Sequence, residues 1–281
     1  MEAVSIDEII EQIKKATECD NKGMILSWSR QQAISKALGV SCRTVEQIAL
    51  ENDILPARYQ RNRMTISIAQ QLQLFYATVA VVGCGGLGGY VIEELARLGV
   101  GRIVVIDSDV FEEHNLNRQL LATVETLGQA KVEAAASRVS LINPCVEVIK
   151  VREHLSESNG KQCLRDAIVA VDALDTISSR MALSNVCREV EIPLVHGAIA
   201  GWYGHVCVQM PGEQTVESLY RHAGETGVET TWGNPAFTPA VVASLEAVEV
   251  CKILLNEGIG LRNKVLTVNL LEMEFECVDL N

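Results

Sequence analysis

Short apolar runs alternate with longer amphipathic stretches through the middle of the chain. The run Val79–Val82 is followed by a helical pattern, by a Gly-Val-Gly break and by a second β-branched run that ends in Asp107. Two further runs, at 146–151 and 168–175, each precede another helical pattern. Strands that alternate with helices are typical of a parallel sheet with helices on both faces. We therefore predict an α/β fold with a doubly wound, Rossmann-like sheet.

The pattern changes near residue 195, where strands begin to predominate. The segment PLVHGAIAGWYGHVCVQMPG is typical of two or three strands interrupted by glycines, and a polar, glycine-containing loop is predicted from Gly212 to Asn234. A helix is predicted over Pro239–Asn256, and KVLTVNLLEMEFECVDL predicts a terminal strand or hairpin. We expect this part to extend the mostly parallel sheet with antiparallel strands.

The beginning of the chain has helical periodicity. It predicts an N-terminal helical arm over 1–57, in front of a domain over 58–281. Within the arm, AISKALGVSCRTVEQIALEN is typical of two helices, with Gly39 in the turn between them and Ser41 as the cap of the second. DNA-binding helix-turn-helix motifs have the same order. Because the second helix carries few basic residues, a packed arm is favoured over nucleic-acid binding.

Composition and charge narrow the possible functions. Of the 281 residues, 48% are apolar and 4% are aromatic, which is typical of an aliphatic core. The net charge of −12 argues against a broad surface for nucleic-acid phosphates. No apolar run is long enough to span a bilayer, and the N-terminus lacks the basic and apolar regions of a signal peptide. We therefore expect a cytoplasmic protein without membrane contact.

The glycine-rich segment after the first apolar run is typical of a nucleotide-binding β-α-β unit. Gly83, Gly85, Gly86 and Gly88 allow a tight turn and close approach of backbone N–H groups to phosphate. Asp107, at the carboxyl end of the next strand, is placed to accept hydrogen bonds from ribose hydroxyls. The same pattern fits a nicotinamide or flavin enzyme, so a dinucleotide-dependent oxidoreductase remains an alternative.

Charged residues after this unit favour transfer of a nucleotidyl group. The sequence Asn-Arg-Gln at 117–119 lies in a polar loop, Lys131 lies early in the next helix, and Asp175 follows a strand. When ATP is attacked and pyrophosphate leaves, charge spreads over the phosphate oxygens. Cations must meet that charge, and a carboxylate must hold magnesium. Hydride transfer needs no such set of residues.

Several motifs, present together and in order, resemble one family. They are RYQRN, VVGCGGLGGYVIEELARLGVGRIVVIDSD, NLNRQLL, GQAKVEAA, INP, HGAIAGWYGHV and GNPAFTPAVVAS. Over residues 58–281 the chain is similar to the ThiF/MoeB/HesA family, bacterial relatives of the ubiquitin-activating enzymes. The resemblance implies a doubly wound fold and a homodimer. It also implies an adenylyltransferase that uses ATP and magnesium to activate the C-terminal Gly-Gly tail of a small ubiquitin-like sulfur carrier, releasing pyrophosphate.

The resemblance also implies a role for each matching residue. Gly86, within the loop of Gly83, Gly85 and Gly88, lies against the phosphates; Asp107 binds the ribose; Asn117 belongs to the nucleotide loop; Arg118 reaches phosphate in the neighbouring subunit's active site; Arg61 and Gln119 orient the triphosphate; Lys131 contacts the phosphates; and Asp175 holds magnesium. Two residues keep alternative roles: Asp172 as a site residue or a helix cap, and Arg180 as a ligand contact or a structural ion pair.

The chain departs from the family pattern at three points. Thr176 follows Asp175, where family members commonly have Asn. None of the nine cysteines forms a C-x-x-C pair, so we expect no structural zinc. The loop at 212–233 contains no cysteine, which argues against a covalent carrier intermediate there. Cys187 and Cys207 have the spacing of core positions.

The tail of a carrier needs a narrow channel. Three glycines leave room for close backbone approach: Gly197, Gly201 and Gly204. Three aromatic residues either line this channel or only pack: Trp202, Tyr203 and Trp232. The small residues of the predicted helix over Pro239–Asn256 are typical of a packing face.

Other functions stay open at this point. The same adenylation fits a ribosomal peptide or a small acid as substrate, with the arm as a peptide clamp. A regulator that senses a nucleotide and binds DNA through residues 30–52 is a third possibility, beside the oxidoreductase. The sequence does not decide between carriers for thiamine, molybdenum or tungsten cofactor, and cysteine synthesis.

Overall fold

A computed structural model of the chain describes residues 4–221 and 232–280. The arm contains helices α1 (Ile6–Ala16), α2 (Trp28–Leu38) and α3 (Cys42–Glu51) and strands β1 (Glu18–Asp20), β2 (Gly23–Leu26) and β3 (Leu55–Pro56). The strands of the domain are β4 (Thr78–Val82), β5 (Arg102–Ile106), β6 (Glu147–Val151), β7 (Val169–Asp172), β8 (Leu194–Ala200), β9 (Tyr203–Gln209), β10 (Lys264–Asn269) and β11 (Glu274–Asp279). Its helices are α4 (Ile68–Tyr76), α5 (Gly86–Leu98), α6 (Lys131–Ile142), α7 (Glu157–Leu164), α8 (Ile177–Glu189), α9 (Thr215–Tyr220) and α10 (Phe237–Leu255).

The domain is built on an eight-stranded sheet with the order β11-β10-β9-β8-β7-β4-β5-β6. The strands from β6 to β8 are parallel, and β8, β9, β10 and β11 pair antiparallel. The strand order reverses at β4. The next strands along the chain, β5 and β6, lie on one side of β4, and β7 and β8 lie on the other. The predicted doubly wound sheet with an antiparallel extension is confirmed.

Helices cover both faces of this sheet. One apolar cluster packs α5, α6 and α10 against the sheet, and a second packs α7 and α8 against the opposite face. The buried strands β4 and β7 are almost entirely Val and Ala, as a strand covered on both faces requires. The predicted loop over 212–234 differs in one respect, because α9 lies within it. Residues 222–231 of that loop lie outside the described residues.

The arm contains a small sheet as well as the expected helices. Strands β1 and β2 form a hairpin in which Asp20 Oδ1 accepts from Lys22 N at 2.8 Å, and β3 pairs with β2 in parallel. The helical periodicity did not reveal these strands, since each has only two to four residues. The boundary at residue 57 remains a prediction.

Helix α3 packs into the molecule instead of presenting a basic face. Ser41 caps it as expected, accepting from Thr44 N at 3.0 Å. Arg43 Nη1 donates to the carbonyl oxygens of Gly101 at 2.6 Å and Cys145 at 2.7 Å, both in the domain. The basic side chain at the start of α3 is thus used inside the protein.

The RY pair of the RYQRN motif connects the arm to the domain. The Tyr59 hydroxyl donates to Glu46 Oε1 at 2.9 Å and accepts from Asn143 Nδ2 at 2.8 Å. Arg58 donates to Asn143 and lies 3.7 Å from the Glu46 carboxylate. Two motifs that carry the family resemblance, RYQRN and INP, therefore meet in a buried polar contact.

Within the described ranges, no helix is long and apolar enough to cross a membrane.

One core carboxyl group has no partner among the described residues. Glu246, on α10, is fully buried, and neither of its carboxyl oxygens makes a hydrogen bond there. Burial raises the pKa of this carboxyl well above its usual value, and the nearby Asp172 carboxylate raises it further. The folded state therefore favours the protonated form of Glu246.

We expect Glu246→Gln to remove a pH-dependent cost of folding. Because the pKa is raised in the folded state, the unfolded chain loses this proton first as the pH rises above 4.5. The free energy of unfolding of the wild type should then fall, by about 1.4 kcal/mol per pH unit until the folded-state pKa is reached. Urea unfolding at pH 5 and pH 8 measures this. The free energy of unfolding of the variant, relative to that of the wild type, should be higher at pH 8 than at pH 5.

The exposed Glu272→Gln variant is the matched control and should show no such gain. Parallel pH profiles for the wild type and Glu246→Gln would contradict the assignment of a raised pKa.

Candidate functional site

A cavity of about 290 Å³ lies at the carboxyl ends of β4, β5 and β7. This is where the strand order diverges on the two sides of β4, the position at which doubly wound folds bind ligands. Nine of the candidate residues from the sequence line it: Gly83, Gly85, Gly86, Asp107, Arg118, Gln119, Lys131, Asp175 and Arg180. The fold thus gathers residues that are almost a hundred positions apart.

The glycine turn brings the start of α5 to this cavity. Gly83 has φ +97°, and a Cβ there would lie 2.5 Å from the carbonyl oxygen of Ala173. A Cβ on Gly88 would lie 1.8 Å from the carbonyl oxygen of Gly83. Gly88 does not line the cavity, so its part is to let the turn close. The first backbone N–H groups of α5, from Gly86 onward, have no partner within the helix and suit an anion.

Asp107 ties the end of β5 to the glycine turn. Its Oδ2 accepts from Cys84 N at 2.7 Å, and its Oδ1 accepts from Asp109 N at 2.8 Å. A carboxylate has about four acceptor positions, so capacity remains for ligand hydroxyls. The predicted ribose contact is compatible with this geometry.

Two cations stand at the side of the cavity near β5. Lys131 is the first residue of α6 and is buried, and its Nζ lies 3.0 Å from Asp109 Oδ2. Arg118 Nη1 donates to the His114 carbonyl oxygen at 3.0 Å and to Asn117 Oδ1 at 2.8 Å. Arg118 lines the cavity of its own chain, and its expected role in the neighbouring subunit's active site stays a prediction.

Two side-chain amides in the cavity wall have unused oxygens. Gln119 Oε1 and Asn234 Oδ1 are buried without a hydrogen-bond partner in the described part of the chain. Asn117 lies outside the wall but donates from Nδ2 to the Asn234 carbonyl oxygen at 3.2 Å. Buried amides without partners at a cavity indicate a polar ligand. Asn234 lies in the GNPAFTP motif but was not among the predicted site residues.

Asp175 lies in the turn between β7 and α8. Its side chain is exposed, and no cation pairs with it among residues 4–221 and 232–280. A carboxylate oxygen is a ligand that Mg²⁺ prefers, and magnesium in nucleotide sites is held by one or two carboxylates and the phosphates. Asp175 therefore fits the magnesium position that the family resemblance implies. Thr176, the departure from that pattern, caps α8 by accepting from Ser179 N at 3.3 Å.

Several expected site residues lie elsewhere. Arg61 is exposed and does not line the cavity. A Cβ on Gly197 would meet the Glu246 carboxyl at 2.5 Å, and one on Gly204 would meet Val242 at 2.4 Å. These two glycines therefore make room for α10, and the expectation that they also leave space for a carrier tail stays a prediction.

The three aromatic residues expected at a channel lie on the surface. Trp202 stacks on Phe237 with ring centroids 4.5 Å apart, and Tyr203 faces Trp232 at 5.6 Å. None of them lines the cavity. The packing alternative describes them better than the channel alternative.

Cysteines take no part in the cavity. Cys187 and Cys207 are fully buried, as expected for core positions, and burial raises the pKa of both thiols. In the described ranges, no group of three or more His, Cys, Asp or Glu side chains is arranged to hold a metal. The expectation of no zinc remains a prediction.

Comparisons with known proteins agree with this geometry. The sequence model of the ThiF family matches residues 59–281. The chain is 37% identical over 226 residues to the SAMP-activating enzyme E1 of Haloferax volcanii, covering 79% of this chain and 84% of the relative. It is 34% identical over 229 residues to the sulfur carrier protein adenylyltransferase of Thermus thermophilus, covering 78% and 84%.

The solved structure of E. coli MccB with ATP has the same fold. It superposes with a TM-score of 0.65 at 21% identity and covers 89% of this chain and 82% of MccB. At this identity the likeness concerns the fold alone. The sequence matches confirm both the resemblance and the expected class of enzyme. The chain belongs to the ThiF family and is an enzyme of the adenylyltransferase class.

Proposed function

We propose that this protein uses ATP and Mg²⁺ to adenylate the C-terminal glycine of a small ubiquitin-like sulfur carrier and releases pyrophosphate. The observation that carries the proposal is the set of groups around the start of α5: two cations, two amides whose oxygens have no hydrogen-bond partner among the described residues, and the carboxylate of Asp175. The similarity to two relatives, a SAMP-activating E1 and a sulfur carrier protein adenylyltransferase, supports the class of substrate.

The chemistry follows from charge. The carrier carboxylate attacks the α-phosphorus, the bond to the β-phosphate oxygen breaks, and pyrophosphate leaves. Lys131 and Arg118 stabilise the charge on the phosphate oxygens, and the α5 N–H groups orient them. Asp175 would hold Mg²⁺, which supplies further charge neutralisation when bound. Asp107 binds the ribose, and Gln119 orients the phosphates.

No protein nucleophile enters this scheme. Cys84, Cys187 and Cys207 are buried, and burial raises the pKa of their thiols, which keeps them protonated. The sequence of loop 212–233 contains no cysteine either. The acyl-adenylate would therefore be the activated product, and a separate enzyme would supply sulfur.

Arg61 enters the proposal through a second copy of the chain. It is exposed and lies outside the cavity of its own subunit. A role at the triphosphate is therefore possible only across a subunit interface. We propose a cytoplasmic homodimer in which each Arg61 reaches the other subunit's nucleotide.

Carrier-dependent exchange of labelled pyrophosphate into ATP tests this function. We expect exchange with a small ubiquitin-like protein that ends in Gly-Gly, and loss of exchange when its last glycine is removed, because the acceptor carboxylate is then misplaced. No thiol-sensitive enzyme–carrier adduct should appear on a non-reducing gel. Exchange that is supported by a short peptide or a small acid, but by no such carrier, would favour the alternative substrates.

Lys131→Met should weaken ATP binding measured by calorimetry. A hydrogen bond to a charged group contributes about 1.5–3 kcal/mol, so we expect roughly a 10- to 150-fold loss of affinity. Its partner Asp109 is exposed, so little stability should be lost. Lys150→Met is the matched control, since Lys150 also pairs with a carboxylate, Glu133, but lies outside this cavity. Equal affinities for the two variants would refute the role of Lys131.

A further inference from the structure

A closed ring of hydrogen bonds surrounds the backbone of Leu174, the residue before Asp175. Asp172 accepts from Leu174 N at 3.0 Å and contacts His196 Nδ1 at 2.7 Å. His196 Nε2 lies 3.0 Å from the Tyr220 hydroxyl, which accepts from Arg180 Nη1 at 3.0 Å. Arg180 Nη2 and Nε then donate to the Leu174 carbonyl oxygen at 3.0 and 3.2 Å.

The two ends of this ring fix the direction of its hydrogen bonds. Arg180 can only donate and a carboxylate can only accept, so the Tyr220 hydroxyl accepts from Arg180 and His196 donates from Nδ1 to Asp172. The Tyr220 hydroxyl proton has two acceptors within reach, His196 Nε2 at 3.0 Å and His205 Nε2 at 3.4 Å, of which His196 is the nearer. His205 lies beside the ring, with its Nε2 3.2 Å from His196 Nε2. Burial lowers the pKa of His205 to about 3, so that this neighbour is neutral. A chain of aligned donors between a cation and a carboxylate is mutually reinforcing in a dry interior.

Three members of the ring lie behind the wall of the cavity. Asp172 and His196 are fully buried, and neither they nor Tyr220 line the cavity, whereas Arg180, Leu174 and Asp175 do. The members come from β7, β8, α8 and α9, so four elements converge on the backbone of one residue. Asp172 accepts from the Leu174 N–H, and Arg180 donates to the Leu174 carbonyl oxygen. The backbone on which Asp175 follows is thereby held on both sides of the Leu174 α-carbon.

We propose that Asp172, His196 and Tyr220 are positioning residues that hold Asp175 in place for Mg²⁺-bound ATP. This inference rests on the proposed role of Asp175 as the magnesium carboxylate. None of the three residues touches the nucleotide. Their contribution is confined to the part of ATP binding that depends on magnesium, because only that part depends on where the Asp175 carboxylate lies.

Calorimetric titration of ATP into the full chain, with Mg²⁺ and with EDTA, tests the proposal. Tyr220→Phe removes the hydroxyl that links Arg180 to His196 and keeps the aromatic ring, which contacts His196 edge-on at 5.5 Å between centroids. We expect Mg²⁺–ATP affinity to fall about tenfold while affinity in EDTA stays unchanged. His196→Asn keeps a donor for Asp172 but loses the acceptor for Tyr220. It should lower the Mg²⁺–ATP affinity in the same way and leave the affinity in EDTA unchanged.

Two controls separate positioning from general damage. Tyr76→Phe removes a tyrosine hydroxyl that is hydrogen-bonded to Glu51, away from the cavity, and should leave both affinities unchanged. In the double variant Tyr220→Phe with Asp175→Asn, Mg²⁺–ATP affinity should be no lower than with Asp175→Asn alone, because the positioned group is already gone.

Each other result has a defined meaning. Equal losses with Mg²⁺ and with EDTA, additive losses in the double variant, or no loss at all would overturn the positioning role. In those cases wild-type binding of Mg²⁺–ATP would leave the proposed function standing. A wild-type protein that binds no ATP would refute the proposed function and this inference together.

Discussion

The site depends on the contact between Gly88 and the carbonyl oxygen of Gly83. With only hydrogen atoms on the Gly88 α-carbon, the chain turns directly from β4 into α5, and the helix begins at the cavity. A larger residue would displace the start of α5 and its N–H groups. The hydrogen bond from Cys84 N to Asp107 then fixes the end of β5 against the same turn. The nucleotide site is thus a consequence of close backbone packing at one point of the sheet.

The arm is joined to the domain by buried polar groups in addition to apolar packing. The carboxylate of Glu46 is almost completely buried and is met by Tyr59, Arg58 and Gln31. Removing one partner from a buried charge costs more than the contact itself contributes, because the remaining charge is left uncompensated. This explains why Arg58 and Tyr59 are both held in this contact, while Arg61, three residues after Arg58, faces solvent.

Two buried acids near the centre of the sheet show opposite solutions to the same problem. Asp172 is fully buried but receives hydrogen bonds from a backbone N–H and from His196, at the end of a chain that starts on Arg180. Glu246 is equally buried and has no partner in the described part of the chain, and burial raises its pKa. The first arrangement holds an ion in place, and the second favours a neutral group that fills space under Gly197.

Local patterns in the sequence determined the alternation of strands and helices, the glycine turn, and the placement of Asp107, Lys131 and Asp175 at element ends, because these features depend on neighbours along the chain. The small sheet of the arm, the packing of α10 onto Gly197 and Gly204, and the position of the Asn234 amide in the cavity wall depend on residues far apart in sequence. The same holds for the ring around Leu174, whose members span 172–220. Only the tertiary structure decided these, since a side chain's partners are set by which elements meet in space.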